Sequence, residues 1–202
     1  MLFDDPNLLS NEEIRKALID EGVPSEQVEN IIQQFWMHDW GNSFIANKER
    51  FELLKNFLAE NKPETFSRFD FYSYFYSKVV PNYETINESL QKIALVFELM
   101  QTDHLAKNEF EEILKELSED ISIDTLVQAK LISVSEKDNK EIIKWVHHTL
   151  TEYLAAAYLL NQENFSETIE KFMCTSESGA ITFVPSWTGS LRFLIEQKPE
   201  VF

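Results

Sequence analysis

Residues Trp145 to Leu160 read WVHHTLTEYLAAAYLL and change character part-way along. The run that leads in, Glu141 to Val146, is short and β-branched, as a strand would be. From Thr149 onward the pattern is helical: Glu152 lies three residues later, a capping-box spacing, and Leu150, Tyr153, Leu154, Ala157 and Tyr158 form one apolar stripe. His147 therefore sits where a strand feeds a helix N-terminus. The unpaired amides and positive dipole end of such a terminus favour an anion.

Working back, Leu131 to Val134 is a second β-branched run, and Ser135 to Lys140, with Asp138-Asn139, is the polar turn between them. That reads as a β-hairpin. Three helices precede it: a long one through Ile86, Leu90, Ile93, Ala94 and Phe97, one through Phe110, Ile113, Leu114 and Leu117, and a short one from Ser122 through Leu126. Three helices followed by a hairpin is the order of a winged helix.

Before the break at Pro81-Asn82 the chain predicts a helical bundle. Ser10 and Glu13 make a capping box, Ile14, Ala17 and Leu18 share a face, and Gly22 is the stop. Pro24 and Ser25 open a second helix with Val28, Ile31, Ile32 and Phe35 on one face. A third carries Phe51, Leu54 and Leu58, and a fourth Tyr72, Phe75, Tyr76 and Val79. Aromatic residues crowd this fourth helix, including Phe66, Phe69, Phe71 and Tyr74, which points to core packing or to docking on another domain. After the quoted stretch, 164–202 reads as a loop and two shorter helices with Pro185 and Gly189 between them.

The expected class is thus mainly α: a helical domain over 1–66, a winged-helix domain with one small β-hairpin over 67–148, and the start of a helical arm over 149–202. Only 4 Gly and 6 Pro in 202 residues agree with it, since an all-β protein or a Gly-rich nucleotide fold needs more sharp turns. The net charge of −17 is spread evenly over both halves of the chain, leaving no basic face for a polyphosphate backbone or an anionic membrane. Nucleic acid and membrane are excluded as expected partners. The opening MLFDDPNLLSNEE is acidic, no apolar run approaches a membrane span, and Cys174 is the single cysteine, so a cytoplasmic protein is expected.

In Trp145 to Ala156, the residues His147, Thr149, Glu152, Tyr153, Ala155 and Ala156 fall in register with a pattern like Phe-x-His-x-Ser/Thr-Phe-Gln-Glu-Phe/Tyr-x-Ala-Ala. That pattern resembles the end of the winged-helix domain in NACHT proteins, signal-transducing ATPases of the STAND class. Ser10 to Ile14 is similar to the segment that enters their first helical domain, and Asn47 to Leu58 (NKERFELLKNFL) to their Asn-Pro-x-x-Leu-x-x-Leu-Leu helix. The resemblance implies that His147 contacts the terminal phosphate of bound ADP and locks a closed, inactive state. It also makes Lys48 a nucleotide candidate, at the position where the family has a proline beside the adenine. ADP or ATP would belong to the parent protein, with no cofactor expected on the isolated chain. The implied partners are an upstream ATPase core and a downstream repeat or sensor segment, with self-oligomerisation of the parent after release.

No G-x-x-x-x-G-K-[ST] phosphate loop occurs in the sequence, and no G-x-S-x-G elbow, so the chain is not expected to be an enzyme by itself. His148 and Glu152 have a spacing that metal ligands can use, but His38, His104 and Cys174 lie on distant segments and fix no third ligand. Met37-His38-Asp39 spells a motif that plant relatives of the class carry at the winged-helix end; here it follows the second helix and reads as an ordinary loop. The alternative function is a standalone helical and winged-helix interaction module that binds no nucleotide.

Overall fold

Ser10 opens the first helix in the way its spacing predicts. Its hydroxyl accepts the Glu13 N–H (3.2 Å) and the Glu13 carboxylate accepts the Ser10 N–H (2.8 Å), closing the capping box on α1 (Asn11–Asp20). In this computed structural model the described residues are 7–36, 44–117, 121–177 and 180–201. They fall into two units, Met1–Phe75 and Tyr76–Phe202, each taken by itself below.

In the first unit Gly22 ends α1 at φ +82°, a conformation that costs glycine little. The second helix, α2 (Ser25–Trp36), buries Val28, Ile31, Ile32 and Phe35. A third, α3 (Lys48–Asn61), begins where the Asn47 side chain accepts the N–H groups of Glu49 (3.1 Å) and Arg50 (3.2 Å). The fourth, α4 (Arg68–Val79), starts in this unit and ends in the next. Phe71, Tyr72 and Phe75 on it are buried, while Phe69 and Tyr74 are half-buried; Phe44 packs on Tyr72 at 4.8 Å and Phe75 at 5.1 Å, and Phe35 on Phe66 and Phe71 at 5.7 Å each. Rings at such spacings add to the free energy of burial itself.

The second unit runs α5 (Tyr83–Met100), β1 (His104–Ala106), α6 (Lys107–Leu117), α7 (Ile123–Gln128), β2 (Ile132–Lys137), β3 (Lys140–Trp145), α8 (His148–Leu160), α9 (Phe165–Met173), β4 (Cys174–Glu177), β5 (Ala180–Phe183) and α10 (Thr188–Gln197). The mainly helical class expected from the sequence is what the structure has, with ten α-helices among the described residues. Three strands form an antiparallel sheet of order β1-β3-β2, in which Leu105 and Val134 both face Ile143.

Four details differ from the sequence reading. The hairpin turn is only two residues, Asp138 and Asn139, at φ +52° and +60°, because two consecutive left-handed residues suit the twist of the flanking strands. Strand β1 was not anticipated; three residues carry no readable period. The tail contains a second hairpin, with Cys174 opposite Phe183 and Thr175 opposite Thr182. Lastly, α8 is capped by His147 and not by Thr149, which lies fully buried one residue inside the helix.

Instead of a stripe, α8 buries nearly its whole circumference, packing on α5, α10, α9 and β3. Ala155, Ala156 and Ala157 leave room for that close approach. No helix among the described residues is long and apolar enough to cross a membrane.

Candidate functional site

Strand β3 ends at Trp145, whose buried ring meets Phe97 of α5 edge-on at 6.1 Å. Two residues later His147 has extended backbone (φ −147°, ψ 131°) and its Nδ1 accepts the Thr149 N–H at 3.4 Å, so a histidine performs the N-cap task usually given to Ser, Thr, Asp or Asn. The same Nδ1 lies 2.6 Å from the Thr149 Oγ1. Both contacts suit the tautomer in which Nδ1 accepts and Nε2 carries the proton. His147 is half-buried, and the exposed His148 ring stacks on it at 4.9 Å. The arrangement is a fixed imidazole at the positive end of a buried helix, suited to donating one hydrogen bond to an anion.

The structure does not gather all the sequence candidates there. Although Glu152 lies on α8 with His147 and His148, its carboxylate lies against Gly189 in the first turn of α10. Lys48 belongs to the other unit, exposed as the first residue of α3, with its backbone N–H bonded to the Asn7 carbonyl (3.0 Å). Hydrogen bonds from Ser10 hold the Glu13 carboxyl below its ordinary range, and the charge of Lys48 adds to that effect.

His104 bonds its own neighbour, Nδ1 to Asp103 Oδ1 at 2.6 Å, while Lys144 reaches Asp103 Oδ2 at 2.6 Å. This is an exposed ion cluster on the edge of the sheet. Cys174 is half-buried, its thiol pushed up by burial and by Glu170. The motif Met37-His38-Asp39 lies outside the described residues. Among the described residues no three His, Cys, Asp or Glu side chains converge where they could hold a metal.

Sequence reasoning missed Glu98 and Ser190. The Ser190 hydroxyl donates to Glu98 Oε2 at 3.4 Å, linking α10 to the end of α5. Glu98 follows Phe97 on a long amphipathic helix, where a glutamate reads as solvated; the only available signal was that α8, bearing so few polar residues, had to be enclosed on every side. Compared with known proteins, the chain matches no family model and no curated protein.

Proposed function

We propose that this chain is the regulatory, nucleotide-sensing part of a NACHT-type STAND signalling ATPase, closing over ADP that an upstream ATPase core binds. The observation that carries the reading is the placement of His147: it follows strand β3 and caps α8 with Nδ1, which suits the tautomer with its N–H on Nε2. A phosphate oxygen at that point would gain a charge-assisted hydrogen bond and the helix dipole together. The element order is a second support. α5, β1, α6, α7, β2 and β3 with sheet order β1-β3-β2 follow the helix, strand, helix, helix, strand, strand plan of a winged helix.

On this reading the chain is cytoplasmic, catalyses nothing alone, and acts through the different affinities of the closed and released arrangements of the parent for the nucleotide. Nucleic acid has no part in it, because α7, the helix that would enter a groove, carries Asp124 and neither Lys nor Arg. The test is the nucleotide content of this chain purified together with the ATPase core that the proposal requires. About one equivalent of ADP released on heating supports the reading. An empty protein with no affinity for ADP or ATP refutes it in favour of the standalone interaction module.

A further inference from the structure

Two acidic side chains converge on the first turn of α10. Glu152, from α8, places its carboxylate in the space a Cβ on Gly189 would need, and Gly189 is the second residue of that helix. Amides of a first helical turn lack partners within the helix and its dipole end is positive, so this position favours a negative charge. Glu98 comes from the opposite kind of place. It is half-buried in the last turn of α5, where the dipole end is negative, and its Oε2 receives the Ser190 hydroxyl (3.4 Å). Environments that push two neighbouring carboxyls apart assign the charge to one and the proton to the other.

The balance of groups around Glu98 points the same way. Burial first and the Glu152 carboxylate second raise its carboxyl to about 8, against the opposing effect of the Ser190 bond. Among the described residues no cation shifts it. Lys92, on α5 itself, is paired with Glu88 at 2.6 Å, and neither Arg192 nor Glu196 of α10, nor any charged group of α6, is among the groups that shift it.

We propose that Glu98 and Glu152 form a proton-operated latch on α10. With Glu98 neutral, its carboxyl and the Ser190 hydroxyl tie α10 to α5, while Glu152 holds the first turn of α10 as the anion. Loss of the Glu98 proton strengthens the Ser190 bond but leaves a charge in a half-buried space facing a second carboxylate; burial and repulsion outweigh the bond, and α10 loosens. The latch is independent of nucleotide binding by His147, so either can fail without the other.

The experiment uses the 202-residue chain. Carbon-13 NMR follows the glutamate carboxyls from pH 4 to 9.5, and amide hydrogen exchange follows α10 at pH 6.5 and 9 after correction for intrinsic rates. The resonance lost in Glu98→Gln should titrate far above the ordinary range of about 4 to 5, and Glu152→Gln should lower its midpoint by about one pH unit or more. Between pH 6.5 and 9 the wild-type α10 should gain about tenfold in exchange over Glu98→Gln. A Glu98 midpoint in the ordinary range, a midpoint unmoved by Glu152→Gln, or equal loss of α10 protection in wild type and Glu98→Gln would each overturn the proposal. If a variant does not fold, the wild-type Glu98 midpoint, set against the pH at which α10 loses protection, still decides it: coincidence supports the latch and separation rejects it.

Discussion

The Glu152 carboxylate fills the space into which a side chain at Gly189 would project. A methyl group there meets the end of a flexible side chain, so Gly189→Ala should displace Glu152 and leave the backbone intact. In an otherwise wild-type chain the usual helix-propensity gain of about 0.5 to 1 kcal/mol from Gly to Ala should be lost or reversed. In a Glu152→Ala background it should reappear. A double-mutant cycle by urea denaturation is expected to give a coupling of roughly 1 kcal/mol.

Acid and base should act on the two perturbed carboxyls with opposite sign. Glu98 is raised from 4.5 to about 8, so between these values the folded chain keeps a proton that the unfolded chain has released, and stability falls as pH rises. The slope is at most about 1.4 kcal/mol per pH unit, and Glu98→Gln should flatten it. Asp103 is held at about 2, first by its His104 hydrogen bond and then by Lys144, so its contribution is present above about 4 and lost as pH falls through about 2. That side chain is 60% exposed, so Asp103→Asn should cost under about 1 kcal/mol at pH 7. Thermal melts across pH 2 to 9 on both variants measure each arm.

Tyr76 donates its buried hydroxyl to the Leu150 carbonyl (3.0 Å) and stacks on Tyr153 at 5.6 Å. Tyr76→Phe keeps the ring and removes one neutral hydrogen bond. The expected loss is about 1 kcal/mol in chemical denaturation, whereas Tyr76→Ala should lose about 3 to 5 kcal/mol.

Asn139 stands at φ +60° in the two-residue turn between β2 and β3. Asn139→Gly should be neutral or stabilise the chain by a few tenths of a kcal/mol, while Asn139→Val should cost about 1 kcal/mol or more. Both shifts are readable from melting temperature.

How far such features were legible differs from element to element. Helix faces with long periods, such as Ile86, Leu90, Ile93, Ala94 and Phe97, could be read because each turn repeats the same message, and all five are buried. Strand β1 could not, since Leu105 is its single buried residue. Thr149 and Glu152 satisfied the capping-box spacing yet were drawn elsewhere: burial takes Thr149 into the core, and packing of α8 takes Glu152 to α10. His147 was visible as a histidine at a helix mouth, but not as the cap itself, because histidine is an uncommon N-cap. The pairing of Glu98 with Ser190 joins residues 92 positions apart, and no local pattern encodes that.

The regulatory reading rests on the proposed contact of His147 with ADP. Its most direct test is the dissociation rate of a fluorescent ADP analogue from the proposed parent protein, this chain joined to an ATPase core, compared with His147→Leu. A hydrogen bond to a charged phosphate contributes about 1.5 to 3 kcal/mol, so the variant should release the nucleotide roughly ten- to a hundredfold faster. Identical rates in a folded variant would contradict the assignment.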